Sequence, residues 1–251
     1  MRHVWTIARR EVGATLHTTT GWLVLMGVQL IAGLLFLVRL DQYLVLMADQ
    51  VGNPYAAYHM TLAEQLLAPW FGNLIVMLLL VCPALSMRLF AEEMRQHTLE
   101  LLVTSPAPSW SIVLGKFLGV AGYLCLALGC TAWMPLTLLA WASPDPAAIV
   151  GGYLGMVLLG SAILAIGMLA SSFTENQVVA LVLGFAGTLC IWMVGWLDPD
   201  PTSWASQAAL GSHVQDFLVG GFRLSDLAYY LLVIGWCLFA TLQRVESYRY
   251  T

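Results

Sequence analysis

The sequence predicts an all-α polytopic membrane protein with six transmembrane helices, and three observations carry that prediction. Of 251 residues, 60% are hydrophobic and only 10% charged, whereas a water-soluble domain carries about 25% charged residues. The few charges leave six charge-free intervals of 17 residues or more, at 12–38, 65–87, 117–144, 146–174, 176–197 and 227–243. Continuous runs such as LIVMLLLVCPALSM from Leu74 lack the alternation of a membrane β-barrel, so only helices can satisfy the backbone inside lipid.

An ionisable group near the bilayer centre costs at least roughly 2.5 to 3.5 kcal/mol, so charges punctuate spans. A crossing of about 30 Å takes about 20 residues at 1.5 Å each. The spans are therefore placed at about 19–38, 68–87, 117–141, 147–170, 177–197 and 227–245 of a single domain, 1–251. The stretch 201–215 is too short and too polar to cross.

Residues 1–17 carry Val4, Trp5, Ala8, Val12 and Leu16 at helical spacing, with Arg2, Arg9 and Arg10 off that stripe. This pattern describes an amphipathic helix on the membrane surface, where basic residues meet anionic head groups. The apolar run that follows is too long for a signal peptide and is retained as the first span. With both termini cytoplasmic, eight basic residues lie inside (Arg2, Arg9, Arg10, Arg88, Arg95, Lys116, Arg244, Arg249) and two outside (Arg39, Arg223), as the positive-inside tendency requires. The net charge of −4 arises on the outer face and indicates no nucleic-acid partner.

The outer loop 39–64 turns at Asn53-Pro54, and Ser143-Pro144-Asp145-Pro146 joins the third and fourth spans as antiparallel neighbours. SSFTENQ joins the fourth and fifth inside. Outer segment 198–226, re-entrant or interfacial, interleaves Trp204, Phe217 and Phe222 with Gly and Asp, and is expected to form short helices at the outer interface. Trp22, Trp70, Trp110, Trp141 and Trp196 fall near span ends and read as an aromatic belt. The five cysteines lie within spans without companion histidines at ligand spacing, so they read as packing residues and no metal is called.

The richest segment is the inner loop 88–116. Phe90, Met94, His97 and Leu101 recur at helical spacing, with Arg88, Glu92 and Arg95 on another face, the pattern of an amphipathic helix outside the membrane. It is expected to stop at Ser105-Pro106-Ala107-Pro108, after which Ser109 can cap the third span.

These residues resemble the permease subunits of ABC-2 type transporters, and within them the gliding-motility-associated (GldF-like) branch. The resemblance rests on Arg88-Leu89-Phe90-Ala91-Glu92-Glu93, Thr98-Leu99-Glu100-Leu101-Leu102, Thr104-Ser105-Pro106 and Ile112 to Phe117. Ile7-Ala8-Arg9-Arg10-Glu11 and the outer Ser212-His213, Phe217, Gly220, Asp226 and Tyr229 also match. His97 departs, since relatives usually carry glycine there, which bears on the local turn.

The resemblance implies that 88–116 is a coupling helix docking on a separate ABC ATPase subunit, in two copies, with a second permease, identical or related. It implies an interface helix at Arg9, Arg10 and Glu11, and ATPase-facing residues at Arg88, Glu92, Glu93, Arg95, His97, Thr98, Glu100 and Leu101. It also implies a multi-pass protein of the bacterial inner membrane, in contact with lipid and with outer or periplasmic components. The passenger is undetermined between an exported substrate and a motility or assembly machine.

ATP and Mg would belong to the partner. A P-loop needs a glycine-rich turn ending in Gly-Lys-Ser/Thr, whereas the one lysine stands in Leu114-Gly115-Lys116-Phe117 with Trp110 in place of the first glycine. No catalytic residue, cofactor or metal is called in this chain, which reads as a non-enzyme. An ion-coupled secondary transporter would hold ionisable residues within the spans, and the intervals contain none. An intramembrane serine protease lacks a base beside Ser161, since every histidine lies at or outside the spans. A non-transporting anchor subunit of a larger complex stays open. The small residues of the fourth span, Gly151, Gly152, Gly155, Gly160, Ser161, Ala165 and Gly167, read as helix-packing positions.

Overall fold

The computed structural model describes residues 2–50, 61–98, 108–139, 142, 145–198, 200 and 203–248. Six helical stretches in it are long and apolar enough to cross a membrane: Thr19–Ala48, Ala63–Arg95, Ser109–Leu138, Pro146–Ser171, Gln177–Trp196 and Leu224–Ser247. Ahead of them α1 spans Arg2–His17, followed by α2 Thr19–Gln50, α3 Ala68–Ser86, α4 Arg88–Arg95, α5 Ser109–Thr131, α6 Trp133–Leu138, α7 Pro146–Ser171 and α8 Gln177–Met193. Two short helices, α9 (Trp204–Ala208) and α10 (Gln215–Leu218), precede α11 (Leu224–Ser247).

Local chemistry sets several of these boundaries. Asp145 caps α7 by accepting from the Ala147 N–H at 2.9 Å, with Pro146 at the first helical position, where its missing N–H costs nothing. Asn176 caps α8 in the same way through Val178.

Spans two, three and four form the core, with more than half of their central residues buried, while in spans one, five and six only about a fifth are. The glycines of α7 set how closely the core packs. A Cβ on Gly152 would strike the Phe71 ring, one on Gly160 would meet Leu124 at 2.6 Å, and one on Gly167 would collide with Ser86 Oγ. Their packing role, expected from the sequence, is thus visible neighbour by neighbour.

Span one has little buried area and is held instead by a ladder of side-chain hydrogen bonds. Tyr123 Oη donates to the Gly21 carbonyl at 2.6 Å, Gln29 Nε2 to Ala127 at 2.9 Å and Trp70 Nε1 to Ala32 at 3.1 Å. Bonds of this kind in lipid contribute on the order of 1 kcal/mol each. Trp70 is therefore no belt residue. It is fully buried, edge-on to Phe36 with centroids 5.4 Å apart, because a tryptophan near a span end can instead spend its N–H on a neighbouring helix. Trp22, Trp110 and Trp196 are exposed as a belt requires, and Trp141 lies outside the described residues.

Two span boundaries differ from expectation for a common reason. The first helix runs on past Arg39 to Gln50, and the third begins at Ser109, eight residues before Phe117. A charge that finds partners does not end a helix. Arg39 bonds Gln42 and Asn73, and Lys116 bonds two carboxylates. Ser109 is accordingly the first helical residue of α5 and not its cap. The cap position is Pro108, whose carbonyl accepts from the Ser111 N–H and hydroxyl, both at 2.9 Å.

At the start of α7 the segment between α8 and α11 closes over the bundle. Phe217 is buried against Gly155, and Gly220, at φ +85°, fits against Ala147 and Ala148 in a conformation that favours glycine. Trp196, Trp204 and Phe222 stay exposed around this cap. His213 Nδ1 lies 2.7 Å from Asp226 and Nε2 2.9 Å from the Gln207 carbonyl, with the ring stacked on Tyr229 at 4.0 Å. The cap is thereby tied to the start of span six.

Candidate functional site: the charged edge at α1, α4 and α5

The opposite end of the bundle concentrates the charged residues that the sequence singles out. α4 continues α3 after one residue, Met87, which keeps helical dihedrals. Its anchor is Ser171 at the end of α7. The Ser171 hydroxyl accepts from the Phe90 and Ala91 N–H groups at 3.1 and 3.0 Å, and donates to the Met87 carbonyl at 3.0 Å. The first turn of α4 is thus held at the break after α3 by a side chain of another span. Leu89, Phe90, Ala91 and Met94 are buried, which leaves Arg88, Arg95, Gln96, His97 and Thr98 exposed.

The helix ends sooner than its apolar spacing suggests. Gln96 is its C-cap and His97 takes φ +55°, so the His97 N–H reaches the Met94 carbonyl at 3.1 Å. That is a left-handed helix terminator, a position that favours glycine. Here a histidine takes that conformation. The expected continuous helix through Leu101 is interrupted at this point, because a left-handed residue redirects the chain. Glu100 and Leu101 lie outside the described residues.

Lys116 is the residue that sequence reasoning passed over. It is only 4% exposed. Its Nζ lies 2.7 Å from Glu93 Oε1 on α4 and 3.2 Å from Glu11 Oε1 on α1, with the Phe90 ring centroid at 5.6 Å. Arg10 is near enough to Glu93 to interact electrostatically. One ammonium with three donors thus joins three helices that are remote in sequence. The two carboxylates are partly exposed, with side chains about a quarter accessible. Glu93 accordingly turns inward, away from the exposed tip of α4.

Glycines let α1 reach this position. A Cβ on Gly115 would meet Ile7 at 2.8 Å and the Val4 carbonyl at 3.2 Å, and one on Gly119 would meet Glu11 Cβ at 2.5 Å and the Ala8 carbonyl at 3.1 Å. The contacting positions advance together, from Val4 and Ile7 at Gly115 to Val12 at Gly122, so α1 runs parallel to the first turns of α5. The packed face is Val4, Ile7, Ala8, Glu11 and Val12, whereas Trp5 is 73% exposed. The expected stripe included Trp5. The glycine pair admits backbone-close contact on the Ile7–Ala8 side, which leaves Trp5 off the face packed on α5. Arg9 and Arg10 are exposed, as the amphipathic pattern has them.

The α1–α2 corner is equally tight. A Cβ on Gly21 would fall on the Thr15 carbonyl oxygen, and Arg88 Nη1 reaches Thr20 Oγ1 at 3.3 Å. α4 is therefore in direct contact with α2, α5 through Lys116, and α7. α4 thus touches elements belonging to three spans.

A family model of ABC-2 family transporter proteins matches residues 46–211, more than half of the chain. The chain belongs to the ABC-2 family of transporter proteins. The match runs from the end of span one to the cap and includes α4 and Lys116. No curated protein matches the chain. ABC-2 proteins of this kind are membrane permease domains that generally pair with an ABC ATPase and are themselves typically non-catalytic.

Proposed function

We propose that this ABC-2 protein is the membrane half of an ATP-driven exporter. In this reading the α4 end faces the cytoplasm, in agreement with the excess of basic residues there. The tip of α4 docks on a separate ATPase subunit. A second permease, identical or related, completes the complex with two ATPases.

The observation that carries the reading is the buried Lys116 bridge between α1, α4 and α5. A solvated loop has no need of a desolvated cation at its base. A lever that must move spans does, because breaking a buried pair leaves uncompensated charge. Arg88, Glu92, Arg95, His97 and Thr98 form the docking face, joined by Glu100 and Leu101. Glu93 and Glu11 hold the lever to the spans, and Arg9 and Arg10 lie on the exposed face of α1.

Closure of the ATPases around ATP would push α4, and the Lys116 bridge and Ser171 would pass that displacement to spans three and four. The finer assignment to the gliding-motility-associated branch is supported by the sequence resemblance at 88–93, 98–102 and 212–229. The passenger is then either an exported substrate or a surface machine that the complex powers.

The test is affinity purification of the tagged permease from its own membrane. Stoichiometric recovery of an ABC ATPase, lost on combining Glu92→Lys with Arg95→Glu while the permease stays folded, supports the docking face. Unchanged recovery would overturn it.

A further inference from the structure

The cap between α8 and α11 is held at the carbonyl end of α9, where the consecutive carbonyls of Ser206 to Leu210 each face a side chain. Ser212 Oγ donates to the Ser206 and Ala209 carbonyls at 2.5 and 2.8 Å. Tyr229 Oη donates to Ala208 at 2.6 Å and Tyr230 Oη to Leu210 at 2.8 Å. The Gln207 carbonyl is left to His213, whose Nε2 lies 2.9 Å away. A carbonyl can only accept, so this contact requires a hydrogen on Nε2.

The same ring meets a second acceptor, because Nδ1 lies 2.7 Å from Asp226 Oδ1. A neutral imidazole has one N–H and one lone pair, so it can serve one of these two contacts and not both. The other would set a nitrogen lone pair against an oxygen lone pair. Both contacts are satisfied when the His213–Asp226 pair holds one further proton. The His213 side chain is 16% exposed and that of Asp226 9%, so water does little to relieve a mismatch. The other titratable groups at the ring are phenols of α11: Tyr229 stacks on it at 4.0 Å and Tyr230 stands edge-on at 6.5 Å. α9 carries no titratable side chain, Asp216 of α10 is bound by Arg223 at 2.8 Å, and Tyr153 of α7 is bonded to Thr131. Gln207 belongs to α9, His213 to the chain that follows it and Asp226 to the first turn of span six. All three stay joined only while that proton is present.

We propose that the cap is a proton-held latch: closing it takes up one proton, shared by His213 and Asp226, and raising the pH opens it. With the cap open His213 meets water, and above about pH 6.5 an ordinary histidine is mostly neutral. In that range the closed form binds one proton more than the open form. Falling pH therefore favours closure, and rising pH opposes it by up to about tenfold per unit. Below that range both forms carry the proton and the dependence vanishes. The latch is independent of the ATPase docking proposed above and of which side of the membrane the cap faces.

The test is amide hydrogen exchange of the full-length permease in detergent, read by mass spectrometry over residues 205–222 between pH 6 and 8.5 and corrected for the intrinsic rate. Wild type should be flat below about pH 6.5 and open up to about tenfold more readily per unit above it. Asp226→Asn separates proton uptake from simple contact. Its amide can donate to Nδ1 of a neutral ring while the Nε2 hydrogen stays on Gln207, so the cap should remain closed at pH 8.5 and lose its pH dependence. His213→Gln should also be flat, and more open than wild type at pH 6. Peptides from the buried stretch 156–168 of α7 should stay protected throughout, which separates cap opening from global unfolding. Wild-type opening that does not change with pH, an Asp226→Asn cap more open than wild type at pH 8.5, or the wild-type dependence persisting in either variant would each overturn the proposal.

Discussion

The two ends of the bundle are each tied by a polar side-chain contact, and the ties differ in what they join. At the α4 end, Lys116 is shared by two carboxylates from two helices, and Glu93 Oε2 has no hydrogen-bond partner among the described residues. At the cap end, His213 has an acceptor at each ring nitrogen and an aromatic face beneath it. The cap tie is locally saturated and closes a segment onto the span that follows it. The Lys116 tie links elements up to 105 residues apart and leaves polar capacity unspent. A saturated tie suits a fixed lid. An incompletely satisfied one, at the base of a short helix that presents an exposed charged tip, suits an element that moves.

Removing the cation should have the largest effect on this contrast. Lys116→Met leaves Glu11 and Glu93 facing each other and is expected to cost on the order of 3 kcal/mol, seen as a lowered melting temperature in detergent. Combining it with Glu93→Gln should recover most of that loss. No recovery would mean that the lysine acts through packing alone.

Next comes the seam that positions α1. Gly119→Leu should cost about 1–3 kcal/mol and expose Ala8→Cys to a maleimide that cannot reach it when Gly119 is present. At the cap, His213→Gln should cost about 1–2 kcal/mol and leave ATPase recovery unchanged, in contrast to substitutions at the α4 tip. The smallest effect is expected at the helix terminator. His97→Gly should stabilise by about 1 kcal/mol, since glycine takes φ +55° without the left-handed penalty. Destabilisation there would show that the His97 side chain is held by a contact of its own.

The spans were legible in the sequence because charge in lipid is costly enough to dominate every other signal. The same reasoning hid Lys116 and Arg39. Treating each charge as a boundary ended a helix where the structure neutralises the charge and continues. Glu11 and Lys116 are far apart in the chain, and no periodicity links them. The available signal was a lone lysine inside the apolar run IVLGKFLG, flanked by glycines four residues apart, a spacing that admits another helix. Trp70 shows the same limit, because position near a span end does not reveal whether an indole N–H has an internal acceptor. That Arg88, Glu92 and Arg95 share one face of α4, the face proposed to dock, was readable from helical spacing, but that Glu93 turns inward follows only from the placement of α5.

The most direct test compares Glu93→Gln with Arg95→Glu in the purified permease and follows both ATPase recovery and melting temperature. The account predicts that Arg95→Glu loses the ATPase while melting is unchanged, and that Glu93→Gln keeps the ATPase while melting falls. If Glu93→Gln releases the ATPase and Arg95→Glu does not, the division of α4 into an inward anchor and an outward docking face is wrong.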